Sequence, residues 1–157
     1  MPTDRVIGFS RIVLAVAGSA LALAACSSGA PDAGEGAAAA VAADNTDTLT
    51  GEKLASFTGD AAKGAADYLA CKTCHATEAG VNKIGPSLNK VVGRKAGTVA
   101  GFSYSPAYAN SGIAWTPEKL FQFLESPQRV MPGTRMGYAG LSDPQKRANV
   151  IAYLQTN

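Results

Sequence analysis

Cys71-Lys72-Thr73-Cys74-His75 constrains this chain more than any other stretch, because it sets two thiols three positions apart with an imidazole directly after the second. Cysteines at i and i+3 lie on one side of a helical turn. Each sulfur then reaches one vinyl group of a single porphyrin while His75 comes up beneath the iron; the spacing is the attachment signature of a c-type haem. A fold that carries it must wrap around one large flat cofactor, covalently held. His75 is the only histidine, and of the three cysteines two go to haem, which leaves none for an internal disulfide. A zinc site falls short, since Cys71, Cys74 and His75 make three ligands and the domain offers no fourth cysteine or histidine. A thioredoxin-like dithiol would need alternating strands and helices around it, and they are missing.

Cys26 has another use. Arg5 and Arg11 supply a positive end, Ile12 to Ala25 an apolar run, and Leu23-Ala24-Ala25-Cys26 closes it. This is a targeting segment that belongs outside the fold. It resembles the lipobox of bacterial lipoproteins, which implies cleavage before Cys26 and acylation of its thiol. An ordinary signal peptide, or a retained anchor from about Val6, stays open beside that reading. The 14-residue apolar run is short for a span, which takes about 20 residues. All three place the domain across a membrane, where thiols do not stay reduced unaided. The expectation is residues 1–25 as signal and a protein of the cell envelope, on the periplasmic side, anchored through lipidated Cys26.

From residue 26 to 58 the composition turns to Ser, Gly, Ala and Asp, with few bulky apolar residues (Val41, Leu49, Leu54, Phe57). Such a stretch buries too little to offset its ordering entropy, and it reads as a flexible tether spanning roughly 30 Å. Charge divides at the same boundary. Residues 26–58 carry one Lys against five Asp and Glu, net −4, whereas residues 59–157 carry eleven Lys and Arg against six Asp and Glu, net +5. The basic domain suits a partner with an acidic docking surface. Its basic residues are spread along the domain with no cluster beyond the pairs Arg94-Lys95 and Lys146-Arg147, which argues against nucleic acid.

Residues 59–157 form one folding unit, and its punctuation favours helices joined by irregular loops. Gly59-Asp60 opens a helix towards Leu69, with Ala61, Ala65, Tyr68 and Leu69 on one stripe. A short helical turn is expected after Pro86, ending near Gly93. Ser105-Pro106 and Thr116-Pro117 each place proline in a first turn; Asn110-Ser111-Gly112 stops the former helix and Pro127 the latter. Ser142 with Gln145 makes a capping-box pattern for the last helix. No alternation calls for a sheet, so the fold class is all-α. The apolar set is modest for a domain of this size, and a porphyrin in the middle would complete the core.

The iron needs a sixth ligand. With no second histidine, and Met1 leaving with the signal, Met131 and Met136 remain, both in Met131-Pro132-Gly133-Thr134-Arg135-Met136. Met136 is the expected ligand, the Pro-Gly turn bringing it opposite His75. A His/Met pair raises the potential relative to bis-histidine.

From Gly59 to the C-terminus the chain resembles a class I cytochrome c, the branch of mitochondrial cytochrome c and its bacterial relatives. Gly64 and Tyr68 resemble the family's glycine and aromatic on the first helix, and Tyr153 its aromatic on the last. Gly85-Pro86 resembles the loop whose proline carbonyl accepts a hydrogen bond from the proximal imidazole. Gly93-Arg94-Lys95, Gly101-Phe102-Ser103-Tyr104 and Gly112-Ile113-Ala114-Trp115 resemble the segments whose Arg, Tyr and Trp bind the haem propionates. Thr134 in the methionine loop stands near a propionate in the family. The resemblance thus implies one haem c on Cys71 and Cys74, iron ligands His75 and Met136, and propionate contacts from Arg94, Tyr104, Trp115 and Thr134. Two departures stand out. Phe123 occupies the place of a tyrosine whose hydroxyl bonds the methionine sulfur, and Tyr108 that of a distal asparagine. Of the family's basic ring, Lys83, Arg129 and Arg135 have counterparts, while Ala70 and Gln128 do not.

With both axial positions filled and no free base or nucleophile arranged nearby, the expected function is a single-electron carrier rather than an enzyme, acting as a monomer. The alternative is a gas-binding or peroxidatic haem protein with a labile sixth ligand. The resemblance implies a cytochrome bc complex on one side and a terminal oxidase or reaction centre on the other.

Overall fold

In the computed structural model, residues 40–157 are described; the signal segment, Cys26 and the start of the tether lie outside the described residues. Asp60 accepts hydrogen bonds from the backbone N–H groups of Ala62 and Lys63 and so starts α1 (Ala61–Asp67), which passes through Tyr68 into the short α2 (Leu69–Lys72). Two one-turn helices, α3 (Pro106–Ala109) and α5 (Pro127–Val130), flank α4 (Pro117–Glu125), and α6 (Pro144–Gln155) closes the chain. Each of these last four has proline in its first turn, where the missing N–H costs nothing. Among the described residues the only β pairing is an isolated bridge between Lys95 and Ala114. The fold is all-α.

Helix α1 crosses α6 at Gly64. A Cβ there would lie 2.6 Å from the carbonyl carbon of Asn149 and 2.8 Å from Cβ of Tyr153, so only glycine permits the approach. Beside it the Tyr68 and Tyr153 rings pack with centroids 5.1 Å apart. Asn149 stitches the crossing: its Oδ1 accepts from the Asp60 N–H and from Gln145, and its Nδ2 donates to Asp67. Helix α4 runs through the centre with Leu120, Phe121, Phe123 and Leu124 all buried. Burying one such side chain contributes roughly 1.5–3 kcal/mol.

Several local expectations change. Of the expected stripe only Tyr68 is buried: Ala61 is half-buried, Ala65 is exposed and Leu69 is 64% exposed, and the face of α1 that packs inward runs through Gly64 and Tyr68. The stretch after Pro86 makes two successive turns, closed by Val91 N–H to Leu88 O and Arg94 N–H to Val91 O, and no helix. Asp143, not Ser142, caps α6 by accepting from Lys146 N–H, and Gln145 turns away to donate to Thr58 O. Pro127 ends α4 and also opens α5.

The largest correction concerns the tether. Residues 42–57 lie along α4 and do not hang free. Lys119 donates to the carbonyls of Ala42 and Asn45, Gln122 to Asn45 and Asp47, and Glu125 accepts from the Leu49 N–H at 2.6 Å. A 3-10 turn at Leu54–Ser56 then brings Phe57 onto the ring of Phe121, centroids 5.8 Å apart. The sequence argument counted apolar side chains, and this stretch is held instead mainly through its backbone polar groups.

Candidate functional site

Helix α2 delivers Cys71, and the next turn delivers the other two groups: Cys74 N–H and His75 N–H both donate to Cys71 O, at 3.1 and 2.9 Å. Both thiols are unpaired and partly buried, and burial pushes the Cys71 thiol above its ordinary pKa. The following loop folds back over them, Gly85 N–H donating to Cys74 O and Leu88 N–H to Ala76 O. That return sets His75 Nδ1 2.8 Å from the carbonyl oxygen of Pro86. A carbonyl only accepts, so Nδ1 carries the proton and Nε2 keeps its lone pair. Burial holds the imidazole pKa below its usual value, with the Pro86 bond opposing and Lys83 reinforcing. The ring is therefore a neutral, oriented donor. Gly85 lies flat against it: a Cβ would stand 2.7 Å from Nδ1 and 2.8 Å from Nε2.

The two methionines separate by burial. Met131 is 2% exposed and belongs to the hydrophobic core, whereas Met136 is only half-buried at the core's edge. Between them Thr134 N–H closes a turn onto Met131 O, with Gly133 at φ +80°, and Met136 N–H donates to Thr134 Oγ1. Gln128 ties the loop down, its Nε2 donating to Thr134 O at 3.2 Å and Met136 O at 3.3 Å. Sequence reasoning had marked Gln128 only as a missing positive charge; no motif signals a side chain that reads carbonyls six and eight residues ahead.

Trp115 N–H donates to Arg94 O at 2.9 Å, and the Tyr104 and Trp115 rings both pack on Tyr108, at 5.6 and 6.2 Å. Arg94 donates one hydrogen bond from each Nη, to Asn89 O and Ser87 O, which holds its guanidinium in place and leaves further N–H groups to offer. The Tyr104 hydroxyl accepts from Val99 N–H and keeps its own proton to donate. Trp115 is buried against Phe123, centroids 4.8 Å apart, and Tyr108 meets Phe123 edge-on at 6.5 Å.

The docking residues divide. Lys83 and Arg135 are exposed, each with one hydrogen bond to a nearby carbonyl, Lys72 O and Ser103 O. Arg129 is not free: it donates to Asp47 O at 2.8 Å and lies 3.8 Å from Glu125, and so is committed to the N-terminal segment. Its side chain is 27% exposed, and of the three expected docking residues it is the one that the N-terminal segment engages.

Two unpaired thiols, an oriented neutral imidazole and an uncommitted thioether are a donor set that fits haem c. The sequence profile of the cytochrome c family matches residues 61–157. The chain belongs to the cytochrome c family. It is similar to cytochrome c2 of Rhodopila globiformis, 56% identical over 86 residues that make up 55% of this chain and 81% of that one. Cytochrome c-type cyt cy of Rhodobacter capsulatus is 48% identical over 103 residues, 65% of this chain and 51% of that protein. The solved structure of cytochrome cH from Methylobacterium extorquens superposes with a TM-score of 0.60 at 43% identity, covering 63% of this chain and all of that one. This cytochrome c therefore holds one haem covalently through Cys71 and Cys74 and carries electrons; it is not an enzyme. The haem, when bound, supplies a one-electron Fe(II)/Fe(III) couple.

Proposed function

We propose that this cytochrome c is a membrane-tethered shuttle of the cell envelope, its iron held between His75 Nε2 and Met136 Sδ. The observation that carries the ligand assignment is the division of the two methionines among the described residues: Met131 is spent in the core, and Met136 is left half-buried at its edge. Pro86 fixes the imidazole from behind, and Gln128 and Thr134 fix the methionine loop, so a haem held by these two side chains would require little rearrangement of the protein on gaining or losing an electron. Small reorganisation of this kind favours fast electron exchange. Arg94, Tyr104, Trp115 and Thr134 take the two propionates, whose charge would be costly to bury without donors. Exposed Lys83 and Arg135 steer partners with acidic surfaces. On resemblance to the family, those partners are a cytochrome bc complex and a terminal oxidase or reaction centre. Lipidated Cys26 would keep the domain at the membrane. Spectra decide the ligand: Met136→Ala should lose low-spin character and gain carbon monoxide binding, while Met131→Ala keeps both wild-type features. A Met136→Ala protein still low-spin and closed to carbon monoxide would overturn the assignment. Mass analysis of the N-terminus tests the lipid independently.

A further inference from the structure

Residues 42–57 precede the stretch that the family profile covers, yet a seat is built for them. On α4 and α5, Lys119, Gln122, Glu125 and Arg129 recur at helical spacing and face this segment. Lys119 is 1% exposed and all three of its ammonium hydrogens are used, on Ala42 O, Asn45 O and Gln122 Oε1. Gln122, fully buried, donates to Asn45 Oδ1 and Asp47 O, both at 2.8 Å. Glu125 takes the Leu49 N–H on one oxygen, and its other oxygen lies 3.2 Å from the Thr50 hydroxyl, whose shorter contact, 2.8 Å, is to Glu52. Behind them Arg147, also fully buried, lies 3.6 Å from both Glu125 and Glu52. Four of these contacts read the segment's backbone, at Ala42 O, Asn45 O, Asp47 O and Leu49 N–H, and a buried lysine or glutamine without those carbonyls would lose its partners.

We propose that this segment is a resident strap that masks the α4–α5 edge from redox partners, so that docking centres on Lys83 and Arg135. Arg129 gives its guanidinium to Asp47 O and Glu125; the strap brings Asp44, Asp47 and Glu52 against a single Lys53, which itself pairs with Asp47. An acidic partner meets there a neutralised edge. Lys83 and Arg135 keep their charge exposed. The strap makes no hydrogen bond to residues 71–104 or to the methionine loop among the described residues, and it reaches Gly112 only through Ala43, at van der Waals distance. The docking consequence rests on the electron-carrier reading; the strap's attachment does not.

The test uses the full-length holoprotein, oxidised from the ferrous state by hexacyanoferrate(III), which accepts one electron from each haem. For a trivalent anion about 10 Å from a lost charge, the rate should fall about twofold at ordinary ionic strength. Lys83→Gln should show that fall, and Arg129→Gln a clearly smaller one. In a strap-released background, Arg129→Gln should recover the full effect. Release comes from Lys119→Met or, should that protein fail to fold, from Leu49→Pro, which removes the N–H given to Glu125 without touching α4. Amide exchange across residues 45–52 verifies the strap, slow in the parent and fast after release. Equal losses for Lys83→Gln and Arg129→Gln with the strap protected overturn the mask. Fast exchange in the parent overturns the strap itself. If neither variant slows the reaction while exchange stays slow, it is the charge-steered docking that fails.

Discussion

Gly64→Ala sets two known effects against each other at the α1–α6 crossing. On helix propensity alone the change should stabilise by up to about 1 kcal/mol, since glycine is the costlier residue inside a helix. The packing says otherwise. The new Cβ would lie 2.6 Å from the carbonyl carbon of Asn149, with its oxygen closer still, and 2.8 Å from Tyr153 Cβ. Ordinary contact begins near 3.4 Å, so the two helices must part by at least 0.8 Å against the first atom. Overpacking of this kind costs about 1–3 kcal/mol. Parting the helices also stretches the Asn149 bonds to Asp60 N and Asp67, each worth about 0.5–1.5 kcal/mol. The expected net is a loss of about 1–3 kcal/mol, or roughly 4–8 °C in Tm per kcal/mol for a domain of this size. Guanidinium unfolding of the holoprotein, followed by far-ultraviolet circular dichroism, measures it. Ala66→Gly, on the exposed side of α1, calibrates the propensity term in the same helix. A Gly64→Ala protein as stable as wild type, or more so, would refute the claim that close approach selects this glycine.

Two further outcomes follow from the site. Gly85→Ala drives a methyl group into the His75 ring and should break the 2.8 Å bond to Pro86 O, lowering stability by about 2 kcal/mol and shifting the ferric absorption spectrum; an unchanged spectrum and unfolding curve would contradict the packing. Burial pushes the Tyr108 hydroxyl up to about 12 from its ordinary 10.0. The unfolded chain then releases this proton first, so stability should be level below pH 10 and decline between pH 10 and about 12, by at most about 1.4 kcal/mol per pH unit from this group. Tyr108→Phe should flatten part of that decline, and an identical alkaline profile in the variant would exclude Tyr108 as its source.

Much of the site was legible because its signals are local. The spacing of Cys71, Cys74 and His75 is one helical turn, and Thr116-Pro117 starts a helix through a hydrogen bond to the third residue on. Asp143 was misread as Ser142 for a related reason: adjacent polar residues offer the same bond, and only the chain's path selects between them. Pro86 needed the family's pattern, since its carbonyl meets a ring 11 residues away. Gln128 and the strap had no local signature at all.

The sequence alone determined that one haem is attached, that His75 is the sole imidazole, and that the domain is helical, because covalent spacing and helix capping act over three or four residues. Tertiary structure decided which methionine is spent in the core, that Leu69 faces outward, and that Arg129 belongs to the strap. Those outcomes depend on groups far apart in the chain, as with Leu49 and Glu125, 76 positions apart and 2.6 Å from each other. Backbone carbonyls and N–H groups occur at every residue, so nothing in residue type announces which of them a buried lysine, glutamine or glutamate will meet.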